Sequence, residues 1–425
     1  MESLVLVLVV VFVILNVPIG FALVLTAMTA MLVRGFDLLT VPLRMFHGAD
    51  NFPLIAIPLF VLAGNLMNHA GISQRLINLA SALVGFIRGG LAMVTVVASM
   101  FFAEISGSAV ADVAALGSIL IPAMKNKGYP LNFAAALTSA AATMAIIIPP
   151  SIPMIIYAVM AEVSIARLFM AGVIPGVISG LSMMLLSYYF ARKRNWPVEE
   201  AFSLDNVWKA FKAAVWTLLI PVVILGGIFG GVFTASEAAG VAVVTTLFIG
   251  FFIHRQLRLS DLPKIFIESA VQTAVVMLII AGSALLGWYL TMEMVPQRIA
   301  AWVMAFTNSK MVVLVLMNIF FLFAGMFLHS AAAIVMIVPI VMPLVREVGI
   351  DPIHFGLIVT INLGIGQQTP PVASVLLTTC SIAGVSVAEI MKMTIYFIFL
   401  ALGVLILVTY VPVVSLFLPR LLMGY

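Results

Sequence analysis

Charge is the scarcest property of this sequence. Only 8% of its 425 residues are Asp, Glu, Lys or Arg, while 64% are hydrophobic. A soluble domain needs far more charge on its surface. The net charge of +4 is no nucleic-acid signal, because the basic residues lie in short connections. Cysteine is nearly missing too. Cys380 stands alone, which excludes a disulfide framework and a thiolate metal cluster. The chain has no GxxxxGK[ST], so it contains no ATP site to drive work, and neither HExxH nor GxSxG occurs. Its start, MESLVLVLVVVFVIL, lacks a basic n-region and a small-residue cleavage site, and its apolar run is too long for a signal peptide. It reads as a retained first span.

What the chain has is long apolar runs. Mean hydropathy is +1.27, and runs of about 18 or more apolar residues recur, the signature of membrane-spanning helices. Outer-membrane strands would alternate instead. The fold class that follows is an all-α polytopic membrane protein with one membrane domain and room for roughly ten spans. Spans are expected at 4–33, 51–70, 130–160, 168–191, 212–232, 236–254, 266–290, 353–380 and 391–418. Two further stretches, 89–124 and 310–345, carry small and polar residues near their middles and read as re-entrant helical hairpins. Segments 71–88 and 291–308 read as amphipathic helices lying along the interface.

The polar linker at 192–212 divides the chain into similar halves. AGN at 63 matches AGS at 281, and QRLINLASAL at 74 matches QRIAAWVMAF at 297. IPAMKNKGYPLNF at 121 matches MPLVREVGIDPIHF at 342, PPS at 149 matches PPV at 370, and VSIA at 163 matches VSVA at 385. Five matches in one order indicate duplication. The halves are taken as 1–191 and 236–425, joined by a cytoplasmic linker and connecting helix, 192–235. Five expected crossings separate Lys127 from Arg346, and an odd number inverts the second copy. With the N-terminus inside, Arg75, Arg88, Lys125, Lys127, Arg192, Lys193, Arg194, Lys209, Lys212, Arg255, Arg258, Lys264 and Lys392 are cytoplasmic, 13 of the 20 basic residues. The positive-inside rule therefore supports an inverted repeat.

Polar groups at membrane depth are costly and call for a reason. The first hairpin turns at SGSAVAD: Gly107 permits a tight backbone, Ser106 and Ser108 supply oxygens, and Asp112 lies one turn after Ser108. Freed carbonyls and hydroxyls there suit a hard cation such as Na⁺, and the helix N-terminus suits a substrate carboxylate. Simple capping by the serines is the plainer reading. Two roles fit Asp112: a ligand, or a brace for the turn. In IIIPPSIP, 146–153, Pro149 and Pro150 remove donors and free earlier carbonyls, which makes Ile148 and Pro149 candidate cation donors and Ser151 a candidate substrate contact. The counterpart GIGQQTPP, 364–371, is an unwound polar segment at the same place in repeat 2. Gln367, Gln368 and Thr369 offer substrate hydrogen bonds, and the carbonyls of Gly364 and Gly366 offer cation ligands. The second hairpin turns near GMFLHSAAA, where Ser330 is the counterpart of Ser108; a lone His329 there reads as a capping or interfacial group more than a substrate ligand. Glu104 and Glu237 read as structurally paired acids. GGIFGG, 226–231, permits close helix approach, internal or between subunits. Ser108 and Asp112 without a base are weak ground for an intramembrane hydrolase.

These residues also carry a resemblance. GNLMNHAGIS, FFAEISGSAVADVAALGSILIPAM, AATMAIIIPPSIPMIIYAV and GIGQQTPPVASVLLTTCSIAG resemble the large membrane subunit of tripartite ATP-independent periplasmic (TRAP) transporters, over nearly the whole chain. The resemblance implies an elevator-type, Na⁺-driven importer of carboxylates such as C4-dicarboxylates or sialic acid, in the bacterial inner membrane. It implies two or more Na⁺ sites and no organic cofactor. It implies two protein partners besides lipid: a small four-helix membrane subunit, expected as a separate chain, and a periplasmic substrate-binding protein. One family site falls on Ser106, Ser108 and Asp112, a second around Gly325, Gly366, Thr369 and Pro370. The interfacial segments would be arms linking a fixed scaffold to a moving domain. A stand-alone ion-coupled anion transporter of related architecture is the alternative.

Overall fold

The structure is a computed structural model. It describes residues 5, 7–9, 11, 12, 15, 17–199, 201–307 and 309–424, all helical or loop, with no strand among them. The helices are α1 Ile19–Arg34, α2 Thr40–Ala49, α3 Ala56–His69, α4 Ile72–Val84, α5 Gly90–Ser106, α6 Ala109–Asn126, α7 Leu131–Ile146, α8 Ile152–Ala161 and α9 Ile165–Arg194. α10 Leu204–Phe229 connects the halves. The second half holds α11 Ala235–Ile253, α12 Leu262–Met292, α13 Val295–Phe306, α14 Lys310–Phe327, α15 Ser330–Glu347, α16 Pro352–Gly366, α17 Ser374–Ala383, α18 Val387–Tyr410 and α19 Val413–Met423. Among the described residues, nine helical stretches are long and apolar enough to cross a membrane.

Local chemistry sets several boundaries. Thr234 with Glu237, and Ser386 with Glu389, form capping boxes that start α11 and α18. The Asp351 carboxylate accepts from the Ile353 and His354 amides and starts α16. Gly35 and Gly384 close α1 and α17 in the left-handed region. Prolines explain where the expected spans differ from the observed helices. The stretch 391–418 is two helices, parted at Pro412. The first span, 4–33, lies partly outside the described residues, and α1 begins only after Pro18. The short helix α2 fills a stretch that carried no expectation. GGIFGG ends α10, and Gly227 packs on Phe233 of its own turn, not on a distant helix. Glu237 caps a helix end, and no hydrogen bond or ion pair joins Glu104 to any described residue.

The elements pack as two bodies that share one continuous core. In one, α12 packs on α1, α2 and α3, while α11 packs on α3 and α10, and α10 on α4. In the other, α7 packs against α5, α17 and α18, while α16 packs against α14, α15, α18 and α9. Contacts of α3 and α4 with α5, and of α12 and α13 with α15, join them. The broken helices α7 and α16 are innermost: Phe133–Ala142 and Ile353–Gly366 are buried throughout. Outward faces of α10, α12 and α18 expose Val222, Ile267 and Phe399, as lipid-facing helices do.

The helix pairs α5–α6 and α14–α15 open toward opposite ends of α9. α9 has 30 residues and is about 45 Å long at 1.5 Å per residue. Beyond its C-terminal end, Glu199 pairs with Lys127 at 3.2 Å. At its N-terminal end, Arg346 lies 3.0 Å from the Ala161 carbonyl and 3.9 Å from the exposed carboxylate of Glu162.

Candidate functional site

Each helix pair turns against the break in a neighbouring helix. In the first pair, α5 ends at Ser106, Gly107 takes φ 60, and Ser108 is extended before α6. A β-carbon on Gly107 would fall 2.8 Å from the Pro150 carbonyl oxygen, so the backbones touch, and the Ile152 amide donates to the Gly107 carbonyl at 3.4 Å. Ser106 donates through its hydroxyl to Asp112 Oδ1 and accepts from the Ser108 amide at 3.2 Å. Asp112 is fully buried, and its Oδ2 has no partner among the described residues. The helix widens into a π turn, Val113–Gly117, directly after it, a distortion common at functional sites. Ser151 caps the freed Ile146 carbonyl at 2.9 Å.

The second pair repeats the plan with different side chains. α14 ends at Phe327, Leu328 and His329 are extended, and Ser330 opens α15. The Val372 amide, just past Pro370–Pro371, donates to the Met326 carbonyl at 3.1 Å. Gln367 donates to Ser330 Oγ. Gln368 donates to Thr143 Oγ1 of α7 at 3.1 Å, while its Oε1 is buried without a partner. Gly364 lies against Thr143, so the two broken helices meet at their breaks. Thr369 spends its hydroxyl on the Ile365 carbonyl of its own helix, 2.9 Å away. Both Pro–Pro bonds are cis.

These parts enclose one cavity of about 540 Å³. Of the residues singled out from sequence, Ser106, Gly107, Ser108 and Gln367 line it. Asp112, Ser151, Ser330 and Gln368 are buried and do not line it. Ile148, Pro149, Gly325, Gly364, Gly366, Thr369 and Pro370 are absent from its walls as well. His329, read as a cap, lines the cavity and is exposed to it. Asn65 and Gln272 line it from the other body and were missed. Gln272 had a signal, being a lone amide in the apolar run of α12. Thr143 had one too, in register with Gly364 across the repeat. Asn65 also ties α3 to α12 by donating to Ser269 at 2.9 Å.

Three helices present their N-termini to this space: α6 through Ala109, Val110 and Ala111, α8 through Ile152 and Pro153, and α15 through Ala331. Among the described residues no Lys, Arg, Asp or Glu lines it. The first-turn N–H groups of α6 and α15, with the dipoles of all three helices, therefore supply the positive potential; in α8 the Ile152 amide is taken by Gly107 and Pro153 has none.

The chain's residues 6–414 match the family model for the tripartite ATP-independent periplasmic transporter, DctM component. The chain belongs to the DctM family. This DctM protein is 42% identical to the C4-dicarboxylate TRAP transporter large permease protein DctM of Pseudomonas aeruginosa, over 93% of this chain and 92% of that one. It is 37% identical to the sialic acid TRAP transporter large permease protein SiaM of Vibrio cholerae, over 96% of each. It is 40% identical to the isethionate TRAP transporter permease protein DctMQ of Oleidesulfovibrio alaskensis, over 96% of this chain but only 64% of that longer protein. In fold it is similar to the YdaH transporter of Alcanivorax borkumensis, with a TM-score of 0.60 at 15% identity over 86% of each chain. These relatives are named as transporter permeases, not enzymes. The DctM protein is a multi-pass protein of the bacterial inner membrane.

Proposed function

We propose that this chain is the large membrane subunit of a Na⁺-driven importer of small organic-acid anions, working by an elevator motion. The convergence of three helix N-termini on a cavity without basic side chains carries the reading. Such a site attracts an anion by backbone dipoles yet holds it loosely enough to release it. Ser108, His329 and Gln367 would contact the anion directly. The relatives' names span dicarboxylates, sialic acid and a sulfonate, which supports an organic anion as the shared chemistry.

Sodium enters as a co-transported ion. The orphaned Oδ2 of buried Asp112 beside Ser106 fits a small hard cation held by carboxylate, hydroxyl and carbonyl oxygens. Among the described residues no group of three or more His, Cys, Asp or Glu is gathered for a transition metal. A second ion would sit by the carbonyls of Gly325, Gly364 and Gly366. The two pairs would be re-entrant hairpins of an inverted repeat, and the body holding α5–α9 and α14–α19 would travel against the rest. A cavity walled by both bodies supports that motion. The family's tripartite description supports two partners, a small four-helix membrane subunit and a periplasmic binding protein that selects the anion. Uptake into proteoliposomes is expected to require a Na⁺ gradient, the small subunit and the binding protein. Uptake by this chain alone on a proton gradient overturns the proposal.

A further inference from the structure

A polar ladder runs through repeat 2 away from the cavity. Asn362 of α16 is fully buried. Its Nδ2 donates to Asn318 Oδ1 of α14 at 2.8 Å and to the Ile358 carbonyl at 2.7 Å. Asn318 donates to Thr409 Oγ1 of α18 at 3.2 Å. The Thr409 carbonyl meets His354 Nε2 at 3.3 Å, and His354 Nδ1 meets Ser415 Oγ of α19 at 2.7 Å. The ladder is imperfect, for Asn362 Oδ1 is buried with no partner. An aliphatic residue would pack there without that penalty.

Repeat 1 has taken the aliphatic solution. At the offset that aligns Pro149 with Pro370, Asn362 corresponds to Ala141 and Asn318 to Val97. Architecture alone therefore does not require the amides. A second feature is confined to the same half. Gly325 of α14 packs on Gly366 of α16 so closely that a β-carbon on Gly366 would fall 2.4 Å from the Gly325 carbonyl carbon. At that same offset they fall on Glu104 and Ala145. Gly366 lies one helical turn beyond Asn362, and Gly325 two turns beyond Asn318, so the amide pair and the glycine pair are successive contacts of the same two helices.

We propose that Asn318 and Asn362 are a positioning pair that sets the approach of α14 and α16 at a cation site formed by the Gly325 carbonyl and the second lone pair of the Gly366 carbonyl, whose first takes the Thr369 amide at 2.9 Å. The proposal rests on the sodium reading given above. Carbonyl oxygens select a cation by their spacing, and glycines, having no side chains, cannot fix that spacing themselves. A directional hydrogen bond one turn away can.

The test replaces each amide by its repeat 1 counterpart, in protein reconstituted with the small subunit and the binding protein. Asn362→Ala is expected to raise the half-saturating Na⁺ concentration about tenfold, the scale of one buried hydrogen bond. The maximal rate at saturating Na⁺ and the half-saturating substrate concentration stay within about twofold. Asn318→Val is expected to do the same, and the double variant no more than the larger single one, because both remove the same bond between α14 and α16. If Asn362→Ala fails to fold, Asn362→Leu and Asn318→Val carry the test. Unchanged Na⁺ dependence, or a lower maximal rate with no shift, overturns the proposal. If wild-type uptake ignores Na⁺, the sodium reading fails, and the pair is judged by the same shift on the cation that does drive uptake.

Discussion

Asp112→Asn separates the two roles open to the buried carboxylate. If the carboxylate binds the coupling cation, the substitution removes a charge pair. At about 4 Å and an effective dielectric constant near 20 that pair is worth at most ~4 kcal/mol. Half of that, about 2 kcal/mol, is roughly 30-fold in cation affinity. If Asp112 only braces the turn, much less is lost, because the Asn oxygen still accepts from the Ser106 hydroxyl. Exchanging a charged acceptor for a neutral one costs about 1 kcal/mol, or roughly fivefold. Folding moves the other way. A buried carboxylate with one unpaired oxygen is a liability, and an amide carries less desolvation cost. The ligand role therefore predicts a half-saturating Na⁺ concentration raised at least ~30-fold, with a melting temperature unchanged or higher. Ser106→Ala, which keeps the charge, should shift Na⁺ dependence only about fivefold. The measurements are uptake against a Na⁺ series in proteoliposomes and thermal unfolding in detergent. Normal expression with wild-type Na⁺ dependence in Asp112→Asn refutes the ligand role.

Gly366→Ala drives a methyl into the Gly325 backbone, whereas the nearest atom to a β-carbon on Gly325 is 3.2 Å away. Overpacking of about 1–3 kcal/mol predicts a lower melting temperature and lost uptake for Gly366→Ala and a milder defect for Gly325→Ala; equal phenotypes would contradict the packing. Single cysteines at Lys127 and Arg346, with Cys380 replaced, should label from opposite faces of the membrane, and labelling of both from one face would sink the inverted arrangement. His254, where α11 meets the α3–α4 elbow, faces the Ala70 carbonyl at 3.3 Å. Burial and then the Arg75 charge hold its imidazole below the ordinary range against that carbonyl. The folded form thus favours the neutral ring. Its contribution to stability is full above about pH 6.5 and is lost as the pH falls, because the unfolded chain takes up the proton. Thermal stability should drop on acidification, and His254→Gln should flatten the drop.

Much of this was legible from composition and spacing because the bilayer simplifies the problem. Backbone groups in hydrocarbon must pair within their own segment, so apolar length alone reports helices. Proline pairs and a glycine between serines mark breaks without tertiary help, and the repeat offset paired 149 with 370 and 121 with 342. Failures came where a boundary hung on one proline, as at Pro412, or where a helix was short and polar, as with α2. The site was half legible. Ser106, Ser108 and Gln367 could be chosen as unusual polar residues at breaks. Sequence could not say which of the chosen residues face open space. Ser151 and Thr369 turn back onto carbonyls at the ends of the helices before them, α7 and α16, and Ser330 is taken by Gln367.

The sequence by itself determined that the chain is a helical membrane protein and marked its breaks at Gly107 and at the two Pro–Pro pairs, because each depends on local hydropathy or backbone chemistry. Tertiary structure alone decided that His329 looks into the cavity and that Asn65 and Gln272 close it from the other body. It also decided that Gln368 reaches Thr143 across the repeat, and that an amide ladder stands beside the Gly325–Gly366 contact. Those pairs are far apart in the chain, and no local preference encodes them. They exist because two breaks in two helices were brought to one point.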